Sequence, residues 1–257
     1  MSTADGTCLI VTVRTRGRRN ALALADWRAI GTAFRQAAEQ EDVGVAVICS
    51  SESGVFSAGA DISEFPQRRF GDSAHDYNRA ISSALDAITG APFPVVAAVD
   101  GMAIGGGCEI VAACDLRLAT VRASFGVPIG RLGVILGPSE QQAIVRAIGP
   151  GRAFALIATG RIVDAGTASD WGLIHEVCEA HELMSLTAER ALGLLRASRA
   201  SLRATKELLQ IDADDDLTIA FRRREASVYA GAELREGVDA FLSKRSPRFA
   251  AAREEGK

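Results

Sequence analysis

Val95-Val96-Ala97-Ala98-Val99 is apolar throughout, and an all-apolar strand has to be covered on both faces. The next twenty residues narrow the choice further. Gly101-Met102-Ala103-Ile104-Gly105-Gly106-Gly107 leads into an apolar stretch from Cys108 to Ala113, read as a short helix, and then into a strand from Leu116 to Ala119. A buried strand, a glycine turn, a helix and another strand make an α/β unit.

The first half of the chain repeats that alternation. Cys8 to Val13 is short and β-branched and predicts a strand, followed by a basic loop carrying Arg14, Arg16, Arg18 and Arg19. Asp26 is read as the cap of a helix to Gln40, with Trp27, Ile30, Phe34 and Ala37 at helical spacing. A strand from Val43 to Cys49 ends at the turn Ser51-Glu52-Ser53-Gly54. A helix from Asp72 to Thr89 then places Tyr77, Ile81, Leu85 and Ile88 on one face, closed by Gly90 and Pro92. From Pro138 onward the pattern is helical, with the sheet complete before it: Pro138 to Ile148, Arg152 to Ala158, a small-residue turn before Trp171, and Glu182 to Arg196. Leu202 to Gln210 and Leu217 to Lys244 come next as Arg-rich helices. At 257 residues this is one large domain, or one domain with a small appendage.

Charge and composition remove several classes of function. With 29 basic against 32 acidic residues, the net charge is −3, a poor bulk match to nucleic acid. The longest apolar stretch, Ala91 to Cys114, is broken by Asp100, four glycines and Glu109, so no membrane insertion is expected. Met1 to Gly6 lacks the basic start and apolar run of a secretion signal, and a cytoplasmic protein is expected. The cysteines at 8, 49, 108, 114 and 178 show no CxxC spacing. The histidines at 75, 175 and 181 form no ligand pair, so neither a disulfide framework nor a metal site is indicated. The acidic run Asp212 to Asp216 precedes a helix and suits its positive end without any ion. His75 reads as a surface loop histidine, with nothing nearby in sequence to orient its ring.

Two segments place small residues between a strand and a helix: Phe56-Ser57-Ala58-Gly59-Ala60-Asp61, and Gly101 to Glu109. Each leaves backbone N–H groups without intrahelical partners, and small side chains let another molecule approach them. Facing one point, the two turns would make an oxyanion hole, although glycines also serve close packing of a strand on a helix. No GK[ST] comes after the second turn, position 110 is Ile where G-x-G-x-x-G needs Gly, and no G-x-S-x-G occurs. Phosphate-loop, dinucleotide and serine-hydrolase readings are therefore poor. Glu109 lies in the first turn of the helix. It either complements the helix dipole or, in an apolar cleft, becomes an acid with a raised pKa.

At these residues the chain resembles the crotonase superfamily, the enoyl-CoA hydratases and isomerases, over nearly its whole length. The likeness is carried by Arg19-Asn20-Ala21-Leu22, Phe56 to Ile62, Gly105-Gly106-Gly107-Cys108-Glu109 and Cys114-Asp115. It continues in Phe125-Gly126-Val127-Pro128, Leu132-Gly133 and the ending Glu236 to Arg245. The resemblance implies an α/β fold, a spiral of ββα units over residues 1–200, with a helical oligomerisation region over 201–257 that builds a homotrimer or a dimer of trimers. It implies an acyl-CoA thioester as ligand, with coenzyme A part of the substrate and no further cofactor. By matching motifs, the N–H groups of Ala60 and Gly106 would hold the thioester oxygen. Ala58, Asp61 and Ile62 would lie along the ligand, and Glu109 would be one glutamate of the hydratase pair. Phe241 and Lys244 match positions that reach the CoA adenine and phosphate from a neighbouring subunit.

One position departs from the pattern. Family hydratases carry a second glutamate after Phe-Gly-x-Pro, and here Pro128 is followed by Ile129. Three outcomes fit. Glu109 alone could move a proton between carbons of an enoyl chain, as in isomerases. Glu140 could supply the second carboxylate of a hydratase, although Pro138-Ser139-Glu140 also reads as a helix start, where Glu is common. Alternatively the chain keeps the pocket as a non-catalytic acyl-CoA-binding protein, with Ile129 against the acyl chain.

Overall fold

The computed structural model describes residues 2–3, 5–16, 18–211 and 217–255, so the acidic run at 212–216 lies outside the described residues. The chain begins with β1 (Ser2–Thr3), β2 (Gly6–Val13), α1 (Leu24–Ala38) and β3 (Val43–Ser50). Next come β4 (Val55–Ser57), α2 (Phe65–Arg68), α3 (Ala74–Thr89) and β5 (Val95–Val99). A further pass gives β6 (Met102–Ile104), α4 (Gly106–Ala113), β7 (Leu116–Thr120) and β8 (Ser124–Gly126). After these stand α5 (Pro138–Thr159), β9 (Val163–Asp164), α6 (Ala165–Trp171), β10 (Glu176–Cys178) and α7 (Leu183–Leu195). Helices α8 (Arg199–Leu209), α9 (Leu217–Tyr229), α10 (Ala232–Leu242) and α11 (Phe249–Glu255) end the described chain.

The strands form two sheets, of order β1-β2-β3-β5-β7-β10 and β4-β6-β8-β9. From β2 to β10 the large sheet is parallel; β1 runs antiparallel to β2, and β9 antiparallel to β8. Each pass of the chain puts one strand into each sheet before a helix returns it: β3 with β4, β5 with β6, β7 with β8. That is a spiral of ββα units. The first pass joins through a single parallel bridge between Leu22 and Ala60.

β3 shows why the run of apolar residues is needed. Ala46 and Ile48 face the layer that contains Trp27 and Phe34 of α1. Val45, Val47 and Cys49 face the opposite layer with Leu183, Ala191 and Leu195 of α7. A parallel strand covered by helices on both sides has no position for a solvated side chain.

Several sequence expectations are corrected. The sheets are not complete before Pro138, since β9 and β10 come later. The small-residue turn before Trp171 is the helix α6, closed by Asp164, whose side chain accepts from the Thr167 N–H, and by left-handed Gly172. Asp26 lies inside α1, at its third position, and accepts from the Ala23 N–H at 2.9 Å. Leu217 to Lys244 is two helices, α9 and α10, separated at Gly231. His75 is exposed as expected, but on the first turn of α3 rather than in a loop. Among the described residues no helix is long and apolar enough to cross a membrane.

Lys206 of α8 is only 8% exposed and reaches into the end of the large sheet. Its Nζ lies 2.7 Å from Asp115 Oδ2 and also donates to the carbonyls of Ile88 and Phe93; the Val95 N–H donates to the same Asp115 oxygen. Lys206 is the buried member of this pair, while the Asp115 side chain stays 31% exposed, so removing the lysine leaves a hydrated carboxylate but takes a buried donor from the Ile88 and Phe93 carbonyls. Lys206→Met is therefore expected to lower the unfolding free energy by about 1–3 kcal/mol in urea titrations. A loss well under about 1 kcal/mol, the scale of an exposed pair, would mean that this contact does not hold α8 in place.

Candidate active site

The turn after β4 is fixed by hydrogen bonds that use nearly all of its main-chain donors. Ala58 N–H donates to Arg19 O, Gly59 N–H to Ser57 Oγ, and Asp61 N–H to Leu22 O, while Gly59 O accepts from Leu22 N–H. Ser57 is itself held by donating to Asn20 O at 2.7 Å. The N–H of Ala60 is left over, with no partner among the described residues. Gly59 has φ +86°, a left-handed conformation that favours glycine and turns the chain so that this one donor stands free.

The second turn repeats the arrangement. Gly105, at φ +53°, donates to Gly126 O and accepts from Glu109 N–H, and the next residue, Gly106, opens α4 with its own N–H unpaired among the described residues. The two turns touch. A Cβ placed on Gly59 would stand 2.8 Å from Gly106 N and 2.6 Å from Ile104 O, and one placed on Gly106 would stand 3.6 Å from Ala60 N. The glycines thus serve both expected purposes at once, close packing and two free donors side by side.

Ala60 and Gly106 border a cavity of about 160 Å³ whose walls are largely apolar, with Trp27, Phe65, Ile81, Ile104 and Val134 among them. Glu109 and Glu140 both line it, at 4% and 1% exposure. Burial first, and the neighbouring Glu140 second, push the Glu109 carboxyl up to about 8, against a smaller opposite pull from Arg69. At neutral pH that carboxyl holds its proton. Glu140 occupies the first turn of α5, so the helix-start reading is correct, yet its side chain is buried at the cavity, with Oε2 accepting from Ser82 Oγ at 3.1 Å. Sequence position alone could not separate those roles.

Of the other expected site residues, Ala58, Ile62 and Ile129 line the cavity. Asp61 does not; its carboxylate accepts from the N–H and Oγ of Ser63 and caps the short turn Ile62–Glu64. Phe241, 82% exposed at the end of α10, and Lys244 beyond it lie outside the cavity lining. Sequence reasoning missed Arg69, which comes from a stretch without periodicity and also lines the cavity. The only cue there is a pair of aromatic residues, Phe65 and Tyr77, that turn out to pack against it.

A family model described as enoyl-CoA hydratase/isomerase matches residues 3–252. The crotonyl-CoA hydratase of Syntrophomonas wolfei is 33% identical over 215 residues, 80% of each chain. Among solved structures, an enoyl-CoA hydratase of Mycobacterium smegmatis is similar at a TM-score of 0.87 and 29% identity, covering 97% of both chains. An enoyl-CoA hydratase of Bacillus anthracis gives a TM-score of 0.86 at 28% identity over 95% of both.

Proposed function

The chain belongs to the enoyl-CoA hydratase/isomerase family of the crotonase superfamily, and from that membership we propose that it adds water to a 2-enoyl-CoA thioester. The observation that carries this reading is two buried carboxyl groups in one cavity with two main-chain donors unpaired among the described residues. The thioester oxygen sits against the N–H groups of Ala60 and Gly106. Glu140 accepts a proton from water as its oxygen bonds to C3. The C2=C3 electron pair moves onto the thioester oxygen as an enolate, which the two donors stabilise. The enolate collapses by taking the proton of Glu109 at C2, and proton exchange with solvent restores both carboxyl groups.

Glu140 thus stands in for the glutamate that Ile129 replaces, and Ile129 supplies apolar wall. The same cavity with Glu109 alone would run isomerisation between 2-enoyl and 3-enoyl esters, so the two reactions separate on Glu140. Glu140→Gln is expected to slow hydration by about 100-fold, the lower end for a lost acid or base, while leaving any isomerisation nearly unchanged. Retained hydration in that variant would assign both proton transfers to Glu109. No turnover of any enoyl ester that the wild type binds would instead favour an acyl-CoA-binding protein. Phe241 and Lys244 enter the proposal from a neighbouring subunit, in a homotrimer or dimer of trimers, where the exposed Phe241 ring would be covered by CoA.

A further inference from the structure

Arg69 is a cationic group in the wall of this cavity, which it shares with Glu109 and Glu140 among mostly apolar residues, and the hydration steps proposed above give it no role. Its Cζ stands 4.8 Å from the ring centroid of Phe65 and 5.2 Å from that of Tyr77, and both rings are buried. The two rings pack edge to face, with centroids 5.8 Å apart. Nε donates to Asn78 Oδ1 at 3.1 Å. Cation–π contact with both rings and the Nε hydrogen bond together anchor the guanidinium. Among the described residues its two terminal nitrogens take part in no hydrogen bond and no ion pair, and neither Glu109 nor Glu140 comes within salt-bridge distance of it. A guanidinium bonded through Nε alone keeps its two terminal nitrogens as a fork of N–H donors, the geometry that suits a carboxylate.

We propose that Arg69 is a specificity-determining residue that binds a carboxylate on the acyl chain of the thioester, so that the preferred substrate is an enoyl-CoA derived from a dicarboxylic acid. An apolar chain would leave that fork without a partner as it displaced water from the cavity, and an unpaired charged donor is costly to cover. A carboxylate on the chain would satisfy it. The protonated state of Glu109 at neutral pH removes one source of repulsion from such a ligand.

The proposal rests on the thioester reading of the cavity, and its test uses saturated esters that cannot be hydrated, so it does not depend on the roles of Glu109 and Glu140. Calorimetric titration would compare two six-carbon acyl-CoA esters, one ending in methyl and one in carboxylate, on the wild type, Arg69→Met and Arg69→Lys. The wild type is expected to bind the carboxylate-ended ester about 10- to 100-fold more tightly, the range for a hydrogen bond to a charged group. Arg69→Met should abolish that preference while holding the methyl-ended ester within about threefold, and Arg69→Lys should restore part of it. Equal binding of the two esters by the wild type, or equal weakening of both by Arg69→Met, would overturn the assignment and leave Arg69 as a prop for the wall. Failure of the wild type to bind either ester would overturn the thioester reading along with it.

Discussion

Glu109→Gln is expected to lower kcat for hydration by at least about a hundredfold and by up to about 10⁴-fold, with little change in thioester affinity. The amide matches the carboxyl in shape and polarity but has no proton to deliver at C2. The pH profile gives a second, independent readout. With the Glu109 carboxyl pushed up to about 8 by burial and by Glu140, the wild-type enzyme carries the donor proton below that pH and loses it above. Its kcat/KM should therefore fall as pH rises through about 8, and the residual activity of the variant should lack that limb. Stability depends on the same proton. A carboxyl whose folded pKa exceeds its unfolded value binds more protons in the native state, so wild-type stability falls as pH rises from the ordinary carboxylate range to about 8. The slope is at most about 1.4 kcal/mol per pH unit. Glu109→Gln should flatten that slope in urea titrations at pH 5 and pH 8. A variant with unchanged kcat would remove Glu109 from the chemistry; one with a wild-type stability slope would show that the carboxyl ionises in the folded protein as easily as in water.

The second large effect is expected from one methyl group. Gly59→Ala would place Cβ 2.6 Å from Ile104 O and 2.8 Å from Gly106 N, in a residue held at φ +86°. Relief of that clash has to shift Ile104 O and Gly106 N, and a shift of Gly106 N turns away one of the two donors proposed to hold the thioester oxygen. Loss of one preorganised donor lowers kcat by about 10²- to 10³-fold, and that range is expected here with the circular dichroism spectrum unchanged. Gly71→Ala supplies the control. Gly71 is also left-handed, at φ +58°, but its added Cβ would meet nothing within 4 Å. It should incur the ~1–2 kcal/mol backbone strain without loss of rate. Equal rate losses in both variants would mean that general strain, not the displaced donor, accounts for the first.

Much of this site is legible in the residues. The uninterrupted apolar run Val95–Val99 required covering on both faces, the helical spacing of Trp27, Phe34, Tyr77 and Ile81 located α1 and α3, and the paired glycine turns announced two sets of free donors. Other parts were hidden for identifiable reasons. Strands β4, β6 and β8 are three residues each, too short for alternation to register, and they persist because each is paired along the small sheet. Helix α6 is built from Ala-Gly-Thr-Ala-Ser-Asp-Trp, with several poor helix formers, and is held by the Asp164 cap and the Gly172 stop rather than by propensity. Glu140 satisfied a helix terminus and a cavity together, and only the three-dimensional packing of α5 against α3 shows the second role. Arg69 closes the four-residue helix α2, too short for a period to register, and its contacts with the Phe65 and Tyr77 rings form only in the fold.

The two free donors of Ala60 and Gly106, proposed to hold the thioester oxygen, are main-chain atoms, present whatever side chains surround them, and the turns that aim them are locked by glycines and by bonds to Ser57, Leu22 and Gly126. Recognition and reactivity are therefore carried by separable parts. A mutant library confined to Ile62, Arg69, Ile129 and Leu132 can redirect the enzyme toward other thioesters while its electrophile-activating machinery stays intact, and diversification there should yield many altered selectivities for few dead clones.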